Sequence, residues 1–408
     1  MNAHHMEKCL MLASPPNQAE AVAPATPDFP ARARALAPRI AEAAARIERE
    51  RQLPPELLAA LHDAKLFRML LPRSVGGGEV DPVTYVKTIE TIAKADASTA
   101  WCIAQASGGS MGAAYLAPEA ARTVYGADDA VMAAGPGTTN TRAQVVEGGY
   151  RVTGNWSFAS GSRHATWFGG HCLVYEPDGS LRAVDGKPTD RTMLFARASV
   201  TVEDTWDVIG LRGTGSDTYF IRDLFVPEAF SYTRDSAADR REHGPLYRFT
   251  GYQMFATGFA AIALGIGRAA LDEFIDLAAR KVPKMGTIVL RDSAVIQSQV
   301  AVSEARLLSA RALLINTLQE LWDMASNGQR LPPPLQARLR LAATFAIHQA
   351  RDVVDACYHA AGATAIFASN PFERRFRDIH TVSQQVQAHA TVFEQVGQTL
   401  LGLTAPAR

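Results

Sequence analysis

Little in this sequence is scarce enough to be decisive, but several absences narrow the field. Four cysteines, Cys9, Cys102, Cys172 and Cys357, lie far apart with no CxxC spacing. That pattern offers neither a small-domain disulfide framework nor a zinc ribbon, and it fits a reducing, cytoplasmic setting. No charge of one sign dominates: Lys plus Arg number 41 and Asp plus Glu number 41. Nothing in that balance calls for nucleic acid or another polyanion. The longest largely apolar stretch, Phe255 to Gly267, is too short for a bilayer, which takes about 20 residues. No membrane segment is expected. The ten histidines form no HExxH and join no Cys/His cluster, so no protein-bound metal is expected. There is no GxSxG elbow and no P-loop, because Gly186-Lys187 is followed by Pro188, which removes the usual hydrolase and nucleoside-triphosphate readings.

With 408 residues, 47% of them hydrophobic, the chain is long enough for two or three domains around a substantial core. Residues 1–28 hold Pro15, Pro16, Pro24 and Pro27 but no secretory h-region, and read as a flexible arm. From residue 29 to about 128 the apolar spacing is helical. Leu36, Ile40, Ala44 and Ile47 recur at three- and four-residue steps, Pro54-Pro55 opens a second helix, and Gly76-Gly77-Gly78 breaks the pattern before helices over Pro82–Ala95 and Ser98–Leu116. Over residues 129–240 short apolar runs alternate with Gly, Asp and Asn, and Gly148-Gly149 marks a hairpin turn. Helical spacing returns over 241–408, broken at Pro283–Gly286, Asn327–Pro334 and Gly362–Pro371. The order predicts an α+β protein with a β domain set between two helical ones.

Two motifs compete for a cofactor. Gly265, Gly267 and Ala270 spell GxGxxA, but Phe255, Phe259, Ile262 and Ile266 recur around them at helical steps with no strand in front. Small residues at a helix contact explain them better than a dinucleotide site. The segment Gly154-Asn155-Trp156-Ser157-Phe158-Ala159-Ser160-Gly161, leading to His164 and Trp167, has the composition a flat redox ring wants: aromatic faces and hydroxyls that satisfy ring nitrogens.

The order of several modest signals resembles the acyl-CoA dehydrogenase superfamily, in its flavin-dependent monooxygenase branch, over about residues 29–403. The signals are Leu71-Pro72 with the Gly76–Gly78 turn, Asp96-Ala97-Ser98-Thr99-Ala100-Trp101, Gly135-Pro136-Gly137, Trp156–Gly161, Gly210–Ser216 and Arg374–Thr381. The resemblance implies an N-terminal helical domain, a middle β-barrel or sandwich, and a C-terminal four-helix bundle, assembled as a homotetramer. It implies that Trp156, Ser160, Gly161, Arg212, Thr214, Ser216, Gly362 and Arg377 bind the cofactor, with Ser160 near the reactive N5/C4a edge. Trp101, Ala106 and Ser107 would line the substrate pocket.

The branch also implies reduced flavin, FMNH2 or FADH2, supplied by a separate NAD(P)H:flavin reductase, with molecular oxygen as co-substrate and transfer from a flavin C4a-hydroperoxide. The substrate expected is a small phenol or indole. Typical dehydrogenases of this superfamily place a glutamate base nine residues after the arginine that matches Arg377, where this chain has Val386. The branch often has a histidine eight residues on, where this chain has Gln385. Gln385, with His389 four residues later and so on one helix face, is expected to take over that role. Ser160, Gln385 and His389 are thus the candidate catalytic residues. The competing expectations are a dehydrogenase with an atypical base and a non-catalytic oligomeric scaffold.

Overall fold

The computed structural model describes residues 27–136, 140–284 and 286–403. The expected arm lies outside the described residues except for Pro27 and Asp28, and so does Gly137 of the Gly135–Gly137 loop.

The first helical block contains α1 (Phe29–Glu50), α2 (Pro55–Asp63), α3 (Pro82–Ala95), α4 (Ala97–Ser110) and α5 (Pro118–Tyr125). Its helices start where capping chemistry allows. The carboxylates of Asp28 and Asp81 accept from the N–H groups of Ala31 and Thr84, and Asp96 accepts from both the N–H and the hydroxyl of Thr99 at 2.7 Å. The Asp96–Thr99 segment is therefore the N-cap of α4, the helix that carries Trp101. The α-helix ends at Ser110 and continues to Tyr115 as a tighter 3-10 turn.

The middle block has strands β1 (Met132–Gly135), β2 (Arg142–Val146), β3 (Gly149–Ala159), β4 (Trp167–Tyr175), β5 (Ala183–Val184), β6 (Lys187–Pro188), β7 (Asp190–Ala196), β8 (Thr201–Glu203), β9 (Asp217–Pro227) and β10 (Ser231–Tyr232). The strand order is β10-β7-β4-β2-β3-β9-β8, with β1 also pairing with β4 and β5-β6 forming a separate hairpin. Val146 pairs with Gly149, so the hairpin turn is Glu147-Gly148, one residue earlier than expected, with Gly148 at φ 76°. The sheet folds back on itself: the Tyr219 hydroxyl on β9 donates to the Gly169 carbonyl on β4 at 2.7 Å. Trp156, Phe168, Phe195 and Tyr219 fill the space enclosed.

The last block holds α6 (Gly251–Ala278), α7 (Ala294–Ser326), α8 (Pro333–Ala361), α9 (Pro371–Val382) and α10 (Thr391–Leu400). Helix α7 and helix α9 both pack on the α6/α8 pair, and α10 lies against α8. By length and composition α6 suffices to cross a membrane, yet it forms the centre of the molecule, packed against α3 and α4 as well as α8. A Cβ at Gly265 would meet Ala93 Cβ at 2.6 Å and one at Gly267 would meet the Leu307 side chain at 3.0 Å and Ala350 Cβ at 3.2 Å. The glycines of the GxGxxA pattern thus serve helix contact, as expected. The two helical blocks share one continuous core, and the β layer packs beside α4.

Candidate active site

The site begins with an irregularity in a strand. Pairing between β3 and β9 slips between Trp156 and Ala159, and Phe158 adopts φ 59°. The slip breaks the usual in–out alternation. Trp156 turns into the sheet interior, while Phe158 is left 60% exposed. Ser160 and Gly161 follow, the latter at φ 79°, and the chain is stitched to the loop before β9. Gly161 N–H donates to the Thr214 carbonyl at 2.8 Å, and the Ser162 hydroxyl donates to the Gly215 carbonyl at 2.7 Å.

These bonds bring three hydroxyls into line. Trp101 Nε1–H donates to Ser160 Oγ at 2.9 Å, Ser160 Oγ lies 2.8 Å from Ser216 Oγ, and Ser216 Oγ lies 2.7 Å from Thr214 Oγ1. The Thr214 hydroxyl donates to the Leu211 carbonyl at 2.9 Å. Trp101 arrives from α4 and stacks on Phe259 of α6 at 4.3 Å between ring centroids, followed by Phe255 at 6.3 Å. Gly108 makes room for Phe255, whose ring lies 2.4 Å from where a Cβ would stand. An aromatic wall therefore runs from Ser160 between the two helices.

The loop over 204–217 is held at both ends. The buried Asp217 carboxylate accepts from Arg163 Nε at 2.8 Å, and Arg163 also reaches Asp204, which Arg51 pairs from α1. On the other side Leu211 N–H donates to Asp378 Oδ1 at 2.7 Å. Arg377 donates to the Ile209 carbonyl and pairs with Glu48 and Glu373. Gly210 sits so close that a Cβ would meet the Arg377 carbonyl oxygen at 2.2 Å. Burial pushes Asp378 up to about 7, a rise its bond from Leu211 N–H reduces. Burial likewise raises Asp96 and lowers His164, beside Gly161, to about 4. His164 is therefore neutral, with Nε2 unpartnered.

An open cleft of about 530 Å³ is bordered by Glu48, Asp207, Val208, Ile209, Arg212 and Arg377, four of them from the loop that leads to Thr214 and Ser216. Arg212 spends one N–H on the Val208 carbonyl. Ile209 is 67% exposed, and Phe158 meets Trp206 edge to face at 6.0 Å. Exposed flat apolar surface beside buried hydroxyls and a guanidinium suits a tricyclic ring with one polar edge. The residues present fit a flavin.

Several expected site residues stand elsewhere. Trp156 does not line this surface: its indole is fully buried, stacks on Tyr219 at 5.2 Å and gives its N–H to the His171 carbonyl. Phe158, two residues on, is the exposed aromatic; its place in the run Trp156-Ser157-Phe158 was visible in the sequence, but the strand slip that selects it was not. Trp206 and Ile209 were also missed, since they lie in a loop without periodicity. Gln385 and His389 do not share a helix face, because α9 ends at Val382 and Gln385 is extended at φ −79°, ψ 161°. His389 is exposed, and its Nδ1 accepts from Thr391 N–H at the start of α10. Gln385 accepts from Gln387 N–H while its buried Nε2 has no partner.

Arg377 borders the cleft, but its guanidinium is engaged by the protein. Gly362, at φ 57°, ends α8 beside Lys281, which donates to Ala361 and Thr364. Lys281 follows the end of α6, and Phe259 to Ala278 along that helix is about 29 Å, so Gly362 is remote from Ser160 within one chain. Ala106 and Ser107 are buried in α4, and the Ser107 hydroxyl has no partner.

Comparison with known proteins places this architecture. Residues 29–125 match the acyl-CoA dehydrogenase N-terminal domain and residues 257–391 the acyl-CoA dehydrogenase C-terminal domain. Together the two matches span more than half of the chain, which belongs to the acyl-CoA dehydrogenase family. It is 29% identical to the indole-3-acetate monooxygenase of Pseudomonas putida over 87% of this chain and 89% of that protein. It is 28% identical to the oxygenase subunit HsaA, a flavin-dependent monooxygenase of Rhodococcus jostii, over 85% and 91%. Among solved structures, XiaF from Streptomyces in complex with FADH2 and glycerol superposes with a TM-score of 0.85 at 26% identity, covering 93% of this chain and 96% of that one.

Proposed function

We propose that this protein is the oxygenase component of a two-component flavin-dependent monooxygenase that hydroxylates a small phenolic or indolic substrate. The observation that carries the reading is the Trp101–Ser160–Ser216–Thr214 hydrogen-bond chain, which passes through Ser160, two residues from the exposed Phe158, and ends on the Trp101–Phe259–Phe255 wall. Reduced flavin, FMNH2 or FADH2 from a separate NAD(P)H:flavin reductase, would activate molecular oxygen and deliver one of its atoms to the substrate. In this reading Phe158 and Trp206 cover the flavin ring face, Ser160 meets its N5/C4a edge and Arg212 its polar periphery. The aromatic wall offers flat apolar surface for the substrate ring and keeps water from the reacting edge. No hydrogen bond among the described residues ties Gln385 to this hydrogen-bond chain; its unpartnered Nε2 is the neutral donor it would offer a bound ligand.

A dehydrogenase with an atypical base has less support. The buried carboxylates of this region are engaged, Asp96 and Asp378 each by a backbone N–H and Asp217 by Arg163, and a base must be free to reach its proton. A homotetramer is supported by α7, which buries Leu307, Leu314 and Leu321 on one side and leaves Val295, Val302 and Leu308 exposed on others. Those three exposed apolar side chains are surface that a neighbouring subunit would cover. In such an assembly Gly362 would belong to a neighbouring subunit's site.

The test supplies the purified protein with NADH, a flavin reductase, FMN or FAD, and a panel of phenols and indoles. Hydroxylated product that requires the protein, with an absorbing transient before oxidised flavin in rapid mixing, is the expected result. Reduction of bound flavin by an acyl thioester under anaerobic conditions would replace the reading by the dehydrogenase. Absence of any flavin binding would replace it by the scaffold.

A further inference from the structure

The hydroxyl chain has a direction, and the direction follows from its two ends. Trp101 Nε1–H can only donate, so Ser160 Oγ accepts at that end. The Leu211 carbonyl can only accept, so the Thr214 hydroxyl spends its single proton there. In the direction that keeps every bond, Thr214 Oγ1 accepts from Ser216 and Ser216 Oγ from Ser160. The proton of Ser160 therefore points inward, toward Ser216. What Ser160 leaves for a ligand is its second lone pair. It meets a donor well and an acceptor badly.

Resting on the flavin reading above, we infer that Thr214 and Ser216 are positioning residues that orient the Ser160 hydroxyl so that the site selects reduced over oxidised flavin. Reduced flavin carries a proton on N5 and donates there, whereas oxidised flavin presents an N5 lone pair and accepts. The direction seen here suits the reduced form. Binding the oxidised form through N5 requires the whole chain to reverse: Thr214 donates to Ser216, Ser216 to Ser160, and Ser160 outward. Reversal gives up the bond from the Thr214 hydroxyl to Leu211. The Leu211 carbonyl is not orphaned by this, because it also accepts from Trp206 Nε1–H and Thr214 N–H, both at 3.1 Å. The difference between the two directions is thus one neutral hydrogen bond, enough to set the preference at about fivefold to tenfold. An oxygenase component that takes reduced flavin from solution and must release the oxidised form gains turnover from such a bias.

The bias is read from two dissociation constants measured on the full chain: oxidised FMN or FAD titrated in air, and the same flavin reduced and titrated anaerobically. Ser216→Ala removes the inner acceptor of Ser160, and Thr214→Val removes the anchor at Leu211. Each is expected to lower the ratio of oxidised to reduced dissociation constants about fivefold to tenfold, while Thr214→Ser, which keeps the hydroxyl, restores the unaltered ratio. Circular dichroism confirms that each variant is folded. Equal weakening of both redox forms, leaving the ratio unchanged in Ser216→Ala and Thr214→Val, overturns the inference while the flavin reading stands. Failure of the unaltered chain to bind either form overturns the flavin reading, and this role with it.

Discussion

Replacing Asp378 by asparagine makes the protein's stability depend less on pH, and the size of the change follows from the site. Asp378 is 6% exposed, and its carboxyl is pushed up to about 7, first by burial. In the unfolded chain it titrates at about 3.9. Between those values the folded state holds a proton that the unfolded state has released, so this group's contribution is fully present below about pH 4 and is lost as pH rises through about 7. Each pH unit in that window is worth about 1.4 kcal/mol. From pH 8 down to pH 5 the unaltered protein therefore gains about 3 kcal/mol from this group, and Asp378→Asn, which has no proton to take up, gains none. Asparagine retains a carbonyl oxygen for Leu211 N–H, so the loop keeps its anchor. Urea unfolding of both proteins at pH 5 and pH 8 measures the effect as a difference of differences, in which every other titrating group cancels. The variant should be the more stable of the two at pH 8 by about 3 kcal/mol relative to their order at pH 5. Parallel pH profiles for the two proteins would refute the account of Asp378 as a buried acid that is neutral at low pH and strained when ionised.

Two further outcomes test the other assignments. Gln385→Leu removes a buried amide whose Nε2 has no partner, so unfolding should change by no more than about 1 kcal/mol, while hydroxylated product per NADH consumed falls severalfold; a large stability loss with coupling intact would make Gln385 a packing residue. Val302→Glu places a charge on the exposed apolar side of α7, and light scattering after size exclusion should show the assembly falling to smaller species with helix content retained.

What was legible in the sequence divides along physical lines. The helices of the first and last blocks were readable because proline starts, glycine breaks and three- and four-residue apolar spacing act within a few residues of one another; Pro55 and Pro82 open their helices as that local chemistry demands. The buried GxGxxA pattern was also readable, since α6 carries its helical period straight through it. Ser160, Thr214 and Ser216 could be nominated by resemblance, but nothing local says that their hydroxyls align.

The errors fall where spacing was extended past an unseen break. Gln385 and His389 were set on one helical face, yet α9 stops at Val382 because the chain there turns to pack Gln387 and Ala388 on Thr344 and His348 of α8. Trp156 was placed at the cofactor by resemblance, and strand alternation cannot reveal a slip that depends on how β9 pairs with β3.

The sequence by itself determined the elements, their order and the family they form, because capping, turn chemistry and periodicity are interactions between near neighbours. Only the tertiary structure decided which aromatic faces outward, which arginine is engaged and which way the Ser160 proton points. Those depend on Leu211, Ser216 and Trp101 meeting from distant parts of the chain, and a hydroxyl takes its direction from whichever partners the fold brings to it.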